Sequence, residues 1–571
     1  HACGVVITQE PLTDTVPLQK STSGSDASAK GGSASGGKET VVTQYEMHSI
    51  EDLGLLKMDF LGLKNLTIIE NALNLIKKRH GVKIEIDELP LDDRESFALL
   101  QKGQTTGVFQ LESSGMKRYL KDLKPNEFED IIAMVALYRP GPMELLPEFI
   151  ERKHGRKKIT YLYPSLEPIL KNTYGIAVYQ EQIMEIAKQL GGFSPGEADT
   201  LRKAIGKKIP ELLAEQQKKL EIGCVRNGIK PQIAKALSDL VEPFSRYGFN
   251  RSHAACYALL AYQTAYLKAR YPLEFMTSLL IADSGDIERT AFLIQEANGM
   301  EIKILPPDIN ESFETFAPSG PPAGETGNKD KSVRFGLAAV KNVGENVVKS
   351  IIAEREKSGR FKTIVDFVSR VHSRDLNKKS LESLIKCGAL DGLGERKQMF
   401  EGAEYLLNFA KSEQKTKQNG QFTMFDADGG ADYKISARLP KTEPATEKER
   451  AVWEKELLGL YLTAHPLKEY ENKLKKYLTI GEINEKMIGG KVKLGGMLGL
   501  IKKILTKKGQ SMAFANFEDA AGKKIELVIF PSVLEKTENL LKEDLIAEIA
   551  GKVDFRDGAF KIICDAIKEI K

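Results

Sequence analysis

The spacing of apolar and polar positions changes several times along this chain, and each change marks a different kind of element. Near the start, Leu55-Leu56-Lys57-Met58-Asp59-Phe60 alternates with period two, so that Leu56, Met58 and Phe60 fall on one face of a strand and Lys57 and Asp59 on the other. The strand is expected over residues 53–60, and Gly62 breaks it. Leu66, Ile69, Leu73 and Ile76 then recur at helical spacing, which predicts a helix to about residue 79. From there to about residue 300 the pattern is dominantly helical. Alternation returns over 492–505, 511–518 and 524–530, followed by a helical stretch over 532–541. Two more strands flank Arg556-Asp557-Gly558, a hairpin signal. Five strands with a helix between the third and fourth predict an OB-type barrel.

The segments between these patterns divide the chain. Residues 21–37 are almost entirely Ser, Gly, Ala and Lys, which cannot bury a core and predict a flexible insertion. Residues 317–331 predict a linker or loop. Residues 411–450 are polar apart from Gln421-Phe422-Thr423-Met424-Phe425, an apolar pentapeptide with no core to join, which suits a docking peptide. A helix resumes over 454–461. The expected plan is a multidomain α+β chain divided at 1–66, 67–316, 332–400, 401–478 and 479–571.

Composition narrows the classes. A chain of 571 residues, 42% hydrophobic, has ample material for several cores. Its 83 Lys and Arg nearly balance 79 Asp and Glu, so any nucleic-acid surface has to come from local clustering. Cys3, Cys224, Cys256, Cys387 and Cys564 are odd in number and scattered, without zinc spacing, which predicts a reduced, intracellular protein. No apolar run approaches the ~20 residues of a membrane span. The start at His1, inside the strand-like Ala2-Cys3-Gly4-Val5-Val6-Ile7, suggests a chain cut from something longer.

Six places carry more chemistry than packing requires. In Tyr138-Arg139-Pro140-Gly141-Pro142-Met143, two prolines and a glycine end a helix over 128–137 and fix a turn around Arg139, which is either a solvated turn residue or a ligand contact. Ser194-Pro195-Gly196-Glu197 is a capping box, and the helix it opens carries Arg202, Lys203, Lys207 and Lys208 near its end. These cations either complement the helix dipole or grip a polyphosphate. In Tyr247-Gly248-Phe249-Asn250-Arg251-Ser252-His253, Ser252 is expected to cap a helix running to about residue 270, and the run presents Tyr247, Asn250, Arg251, Ser252 and His253 where a phosphate would be favoured. Residues 334–351 predict two short helices joined by a tight turn at Val343-Gly344, where backbone amides could meet a DNA phosphate. Lys341, Asn342, Gly344 and Asn346 lie there. In the predicted barrel, Lys502, Lys503, Lys507 and Lys508 supply charge, and Phe514, Phe517 and Phe530 are core or stacking residues. Lys57 and Asp59 are either a surface ion pair or a metal-binding carboxylate beside a phosphate-binding lysine.

Several long stretches occur together and in order: residues 1–7 and 55–63, Phe109-Gln110-Leu111-Glu112-Ser113, residues 138–143, Tyr179-Gln180-Glu181-Gln182, and residues 247–257 and 335–347. In them the chain resembles the bacterial replicative DNA polymerase III alpha subunits, over its whole length apart from the Ser/Gly insert. The resemblance implies that Asp59 is the third palm carboxylate of a two-metal nucleotidyl transferase, with Lys57 beside the phosphates. Two Mg²⁺ ions would be held jointly with carboxylates outside this chain. It implies that residues 67–316 are the fingers, where Arg202, Lys203, Lys207, Lys208 and the run from Tyr247 to His253 contact the incoming dNTP, with Arg139 in the same neighbourhood. Residues 336–347 would hold the primer–template duplex. Gln421, Phe422, Thr423, Met424 and Phe425 would dock on the sliding clamp, and other replicase subunits would be partners in a cytoplasmic, nucleoid-associated assembly. The family's two other catalytic aspartates are missing from residues 1–571, so the chain is expected to be inactive alone. The competing reading is a non-catalytic DNA-binding scaffold or one half of a split polymerase.

Overall fold

The computed structural model describes residues 4–20, 41–59, 62–207, 209–320, 331–371, 376–418, 439–463, 465–506, 509–556 and 559–570. They form two compact units that divide between Thr67 and Ile68.

The first unit contains two ribbons. Strand β1 (Gly4–Ile7) and strands β2 (Leu18–Lys20), β3 (Val41–Thr43) and β4 (Leu56–Asp59) pair as β1 with β4 and β2 with β3, both antiparallel. The strand expected over 53–60 starts later because a helix, Met47–Asp52, precedes it. The Glu46 carboxylate accepts from the amides of His48 and Ser49 to start that helix, and Gly54, at φ 73°, turns the chain out of it. The alternation is as expected, but the exposure is reversed. Val5 pairs with Met58 and Ile7 with Leu56, so these four apolar side chains share one face, and all are exposed. Lys57, on the opposite face, is half-buried. A two-stranded ribbon has no second layer of its own, and no described residue of this unit covers the apolar side.

The second unit begins along helix α1 (Lys64–His80), which buries Ile69 and Ile76 as predicted but leaves Leu66 exposed. Two helical layers follow. In one, α2 (Phe128–Leu137) packs Ile131, Ile132 and Met134 against Ala258, Tyr262 and Ala265. In the other, α3 (Gln180–Gln189), α4 (Pro195–Lys207) and α5 (Val241–Tyr247) surround Ile183, Leu201 and Phe244. The long helix α6 (Arg251–Arg270) supplies Ala258, Tyr262 and Ala265, and its last turn is followed by Pro272, which opens the next helix rather than ending the helical region. Residues 317–331, expected to be a loop, begin in a strand and are followed directly by another, and residues 321–330 lie outside the described residues. Strands β5 (Lys303–Leu305), β6 (Ala317–Ser319) and β7 (Ser332–Arg334) form a sheet in the order β5-β7-β6. Pro318 obscured β6 because proline is tolerated only at a sheet edge, which is where β6 lies.

The predicted helical pair around Val343-Gly344 also differs in form. Its first member is a single 3₁₀ turn, Leu337–Ala339, and its second is α7 (Glu345–Ser358). Asn342, at φ 67°, makes the left-handed step, which asparagine tolerates, and its side-chain amide donates to Ser383 Oγ at 3.3 Å. Helix α8 (Ala403–Gln418) continues into the stretch read as a polar linker. The pentapeptide 421–425 lies outside the described residues. Helix α9 (Glu447–Leu458) starts earlier than expected because Thr446 and Glu449 form a capping box. A buried charge cluster ties it down: Arg396 and Glu454, 2% and 0% exposed, bond at 3.1 Å, and Glu454 also accepts from the amides of Leu462 and Thr463. Such a cluster stabilises only when every member is satisfied.

The barrel expected at the C-terminal end is closed. Strands β8 (Lys491–Leu505), β9 (Ser511–Asp519), β10 (Lys524–Ile529), β11 (Ile546–Arg556) and β12 (Ala559–Glu569) run in the order β10-β12-β11-β8-β9, with α10 (Pro531–Thr537) between the third and fourth. Phe517 is fully buried in the barrel core, Phe514 is half-buried and Phe530 is exposed. Among the described residues, no helix is long and apolar enough to cross a membrane.

Candidate functional site

Three of the stretches singled out in sequence meet at one place in the second unit. Phe249 forms a parallel bridge to Tyr179: the Phe249 amide donates to Val178 O and the Gln180 amide donates to Phe249 O at 2.9 Å. This pairing sets the starts of α3 and α6 side by side, so two partly positive helix ends converge. Arg139 comes in from the Pro-rich turn. Its guanidinium lies 3.8 Å from the centre of the Phe249 ring, and its Nε donates to Ala136 O at 2.9 Å. The guanidinium is held against an aromatic face, and burial pushes its pKa down.

The end of α4 adjoins the same place, since a Cβ built on Gly206 would lie 4.0 Å from Gln180 Nε2. The Ser194–Glu197 capping box is formed, with the Ser194 amide donating to Glu197 at 2.7 Å, and the Lys219 hydrogen bond, followed by that amide, brings the Glu197 carboxyl down to about 2. Arg202 and Lys203 share one partner, Asp199, at 2.8 and 3.0 Å. The hydrogen bond from Lys203, followed by that from Arg202, lowers the Asp199 pKa. Lys203 is exposed and Arg202 half-buried, so the pairs are surface ones. The Lys207 side chain and Lys208 lie outside the described residues.

The cap of α6 is not the expected one. Asn250, rather than Ser252, accepts from the amide of His253, the third residue of the helix, at 2.8 Å. Ser252 sits at the second helical position, exposed, two residues past the cap. His253 stacks on Tyr257, with ring centres 4.3 Å apart, and meets Phe249 edge-on at 5.4 Å. Tyr247 is half-buried, and burial raises its pKa.

Sequence reasoning missed the acidic half of this site. Both oxygens of Glu181 accept from the Arg251 amide, at 3.1 and 2.9 Å, and the Arg251 guanidinium pairs with Glu129 at 2.6 Å. Below them Tyr179 is 2% exposed, and its hydroxyl has no hydrogen-bond partner. Burial raises its pKa, and the charge of Glu129 adds to the rise. The one available signal was the carboxylate in the first turn of a predicted helix, within Tyr179-Gln180-Glu181-Gln182.

Two other places are laid out differently. At the start of α7, Lys341, Asn342, Gly344 and Asn346 are exposed, no side chain caps the helix, and a Cβ built on Gly344 would meet nothing within 4 Å. The Lys341 amide donates to Leu457 O at 3.0 Å, which fixes this turn to the end of α9. On the barrel, Lys502 and Lys503 are exposed on β8 opposite Phe514 and Ala513 of β9. Lys507 and Lys508 lie outside the described residues. In the first unit Asp59 is in β4, opposite Gly4, and its side chain is not described. Among the described residues no group of three or more His, Cys, Asp or Glu could hold a metal ion.

A large helical domain, a hairpin-type turn and a closed five-stranded barrel on one chain define a multidomain α+β protein with an OB-type barrel. Comparison with known proteins narrows this. The bacterial DNA polymerase III alpha subunit finger domain matches residues 65–228, the helix-hairpin-helix motif residues 301–399, the OB-fold nucleic acid binding domain residues 492–570, and the bacterial DNA polymerase III alpha NTPase domain residues 1–62. The DNA polymerase III subunit alpha of Halalkalibacterium halodurans is 41% identical over 577 residues, covering 100% of this chain and 48% of the relative. That of Thermus aquaticus is 42% identical over 97% of this chain and 44% of the relative, and that of Escherichia coli K12 is 38% identical over 100% and 48%. The chain belongs to the bacterial DNA polymerase III alpha family, and it spans about half the length of the curated relatives it matches.

Proposed function

We propose that this chain is the nucleotide-binding and DNA-holding part of a template-directed DNA polymerase that transfers dNMP from a dNTP to a primer 3′-hydroxyl. The observation that carries this reading is the meeting of Arg139, the Gln180 helix start, the end of α4 and the Tyr247–His253 run in one half-exposed place. A triphosphate needs several convergent donors, which the backbone amides and guanidinium groups at that place would provide. Arg139, Arg202, Lys203, Lys207, Lys208, Tyr247, Asn250, Arg251, Ser252 and His253 are the proposed nucleotide contacts. Lys341, Asn342, Gly344 and Asn346 are proposed to hold the duplex. Lys502, Lys503, Lys507 and Lys508 are proposed for the single strand, and Gln421–Phe425 for a sliding clamp.

Family membership makes Asp59 the proposed metal carboxylate, with Lys57 beside it. One aspartate does not make a site for two Mg²⁺ ions, so the donor set described on this chain does not fit that pair and no catalytic step is derived through it. The reading is therefore that Asp59 acts with carboxylates supplied from outside residues 1–571, and that the chain alone does not polymerise. The same shortage of carboxylates is what favours the second reading, a DNA-binding scaffold. Primer extension separates the two. Adding a polypeptide that carries an Asp-x-Asp pair is expected to give Mg²⁺-dependent synthesis that Asp59→Asn abolishes. Synthesis that persists in the Asp59→Asn protein overturns the assignment. For the clamp peptide, changing Gln421 and Phe425 to Ala is expected to abolish capture by a clamp, and unchanged capture removes the peptide from the proposal.

A further inference from the structure

We propose that Glu181 is an internal gate on phosphate binding: its carboxylate fills the anion seat between the starts of α3 and α6 and yields it to a substrate polyphosphate. This deepens the nucleotide reading and rests on it. Glu181 is in the first turn of α3, a helix of 10 residues, and both its oxygens receive the first amide of α6, a helix of 20 residues. One carboxylate thus answers two helix dipoles that would otherwise favour an external anion.

The other donors of the site are occupied in the same way. Asn250 takes the His253 amide at 2.8 Å, and Glu129 takes the Arg251 guanidinium at 2.6 Å. A second, independent feature points to a missing partner. The Tyr179 hydroxyl, in a side chain 2% exposed, makes no hydrogen bond, while the Arg251 guanidinium carbon lies 5.8 Å from its ring centre. Buried hydroxyls left unpaired are uncommon and costly, and the charges of Glu129, Arg251 and Glu181 all act on this one.

The chemistry selects a ligand class. An anion that displaces Glu181 must offer more charge and more acceptor oxygens than one carboxylate. A triphosphate does, whereas a single inorganic phosphate is a much weaker competitor. Glu181 is half-buried, so it has solvent to move into once displaced. It acts as a positioning residue: it keeps the Arg251 end of α6 neutralised until a polyphosphate takes its place.

The test is titration calorimetry of the whole chain with inorganic tripolyphosphate in the presence of a metal chelator, with inorganic phosphate as the comparison. Thermal melts confirm that each variant is folded. Glu181→Gln is expected to bind tripolyphosphate on the order of tenfold more tightly, the equivalent of one charge-assisted hydrogen bond no longer competed for. Adding Arg251→Gln is expected to remove that gain. Glu181→Asp, a milder change, is expected to fall between. Glu185→Gln is the control: this residue lies one turn along the same helix and pairs with Lys188 at 2.5 Å, so its loss is expected to leave affinity unchanged. Equal affinity in wild type and Glu181→Gln, or an equal gain in Glu185→Gln, overturns the gate; the nucleotide reading then survives if Arg251→Gln still weakens binding. An absence of tripolyphosphate binding in every protein overturns both.

Discussion

Two helix starts in this molecule treat the same electrostatics in opposite ways. At α6 the partly positive end is filled from within: Glu181 takes the first amide and Asn250 the third. At α7 it is left bare, because Gly344 offers no side chain, none other caps the helix, and the space beside it is empty. A filled end suits a ligand that must compete for its place and be released, such as a substrate. An open end suits a partner that is held by its backbone without selection, such as duplex phosphates.

The largest expected effect breaks the comparison at the open end. If α7 and the turn before it meet about three phosphates, duplex affinity should fall roughly fortyfold between 50 and 200 mM salt, with little dependence on sequence. Fluorescence anisotropy over a salt series measures this, and a flat response removes α7 as a DNA grip. Next, Gly344→Asp gives α7 the internal anion that α6 already has. Duplex affinity is then expected to drop about tenfold, while stability rises by about 0.5–1 kcal/mol because aspartate is a good helix cap. The side chain has room, and the Gly344 φ of −79° suits any residue. A loss of stability would mean that the turn needs glycine for its own sake.

A smaller effect sharpens the closed end. Asn250→Ala removes the bond to the His253 amide and should cost about 1 kcal/mol in a denaturant melt. Ser252→Ala, at the position that sequence favoured as the cap, should change stability by less than about 0.5 kcal/mol. The reverse order would return Ser252 to that role.

These contrasts show which parts of the chain its pattern could specify. The first three barrel strands were legible almost to the residue; in β9 and β10 one face is buried, and period-two alternation records which side that is. The helix over 128–137 and the Ser194–Glu197 capping box were legible for the same kind of reason, since periodicity and local side-chain bonds are both short-range. The cap of α6 was misread because Asn250 and Ser252 are equally good caps by type, and only the pairing of Phe249 with Tyr179 fixes where the helix begins. Strand β6 was hidden by a proline that is harmless at a sheet edge. The exposed face of Leu56 and Met58 reversed a simple amphipathic reading, because alternation says which residues share a face and not which face is covered.

By itself, then, the sequence determined the helical character of the middle of the chain, the barrel and the family, because those rest on neighbours in the chain and on motifs in order. Only the tertiary structure decided that Glu181 and Arg251, 70 positions apart, share a bond, and that Glu129, 122 positions from Arg251, holds its guanidinium. Charge pairing of this kind depends on which elements the core brings together. A helix end that reads as an anion seat along the chain can be filled, in the fold, by the protein's own carboxylate.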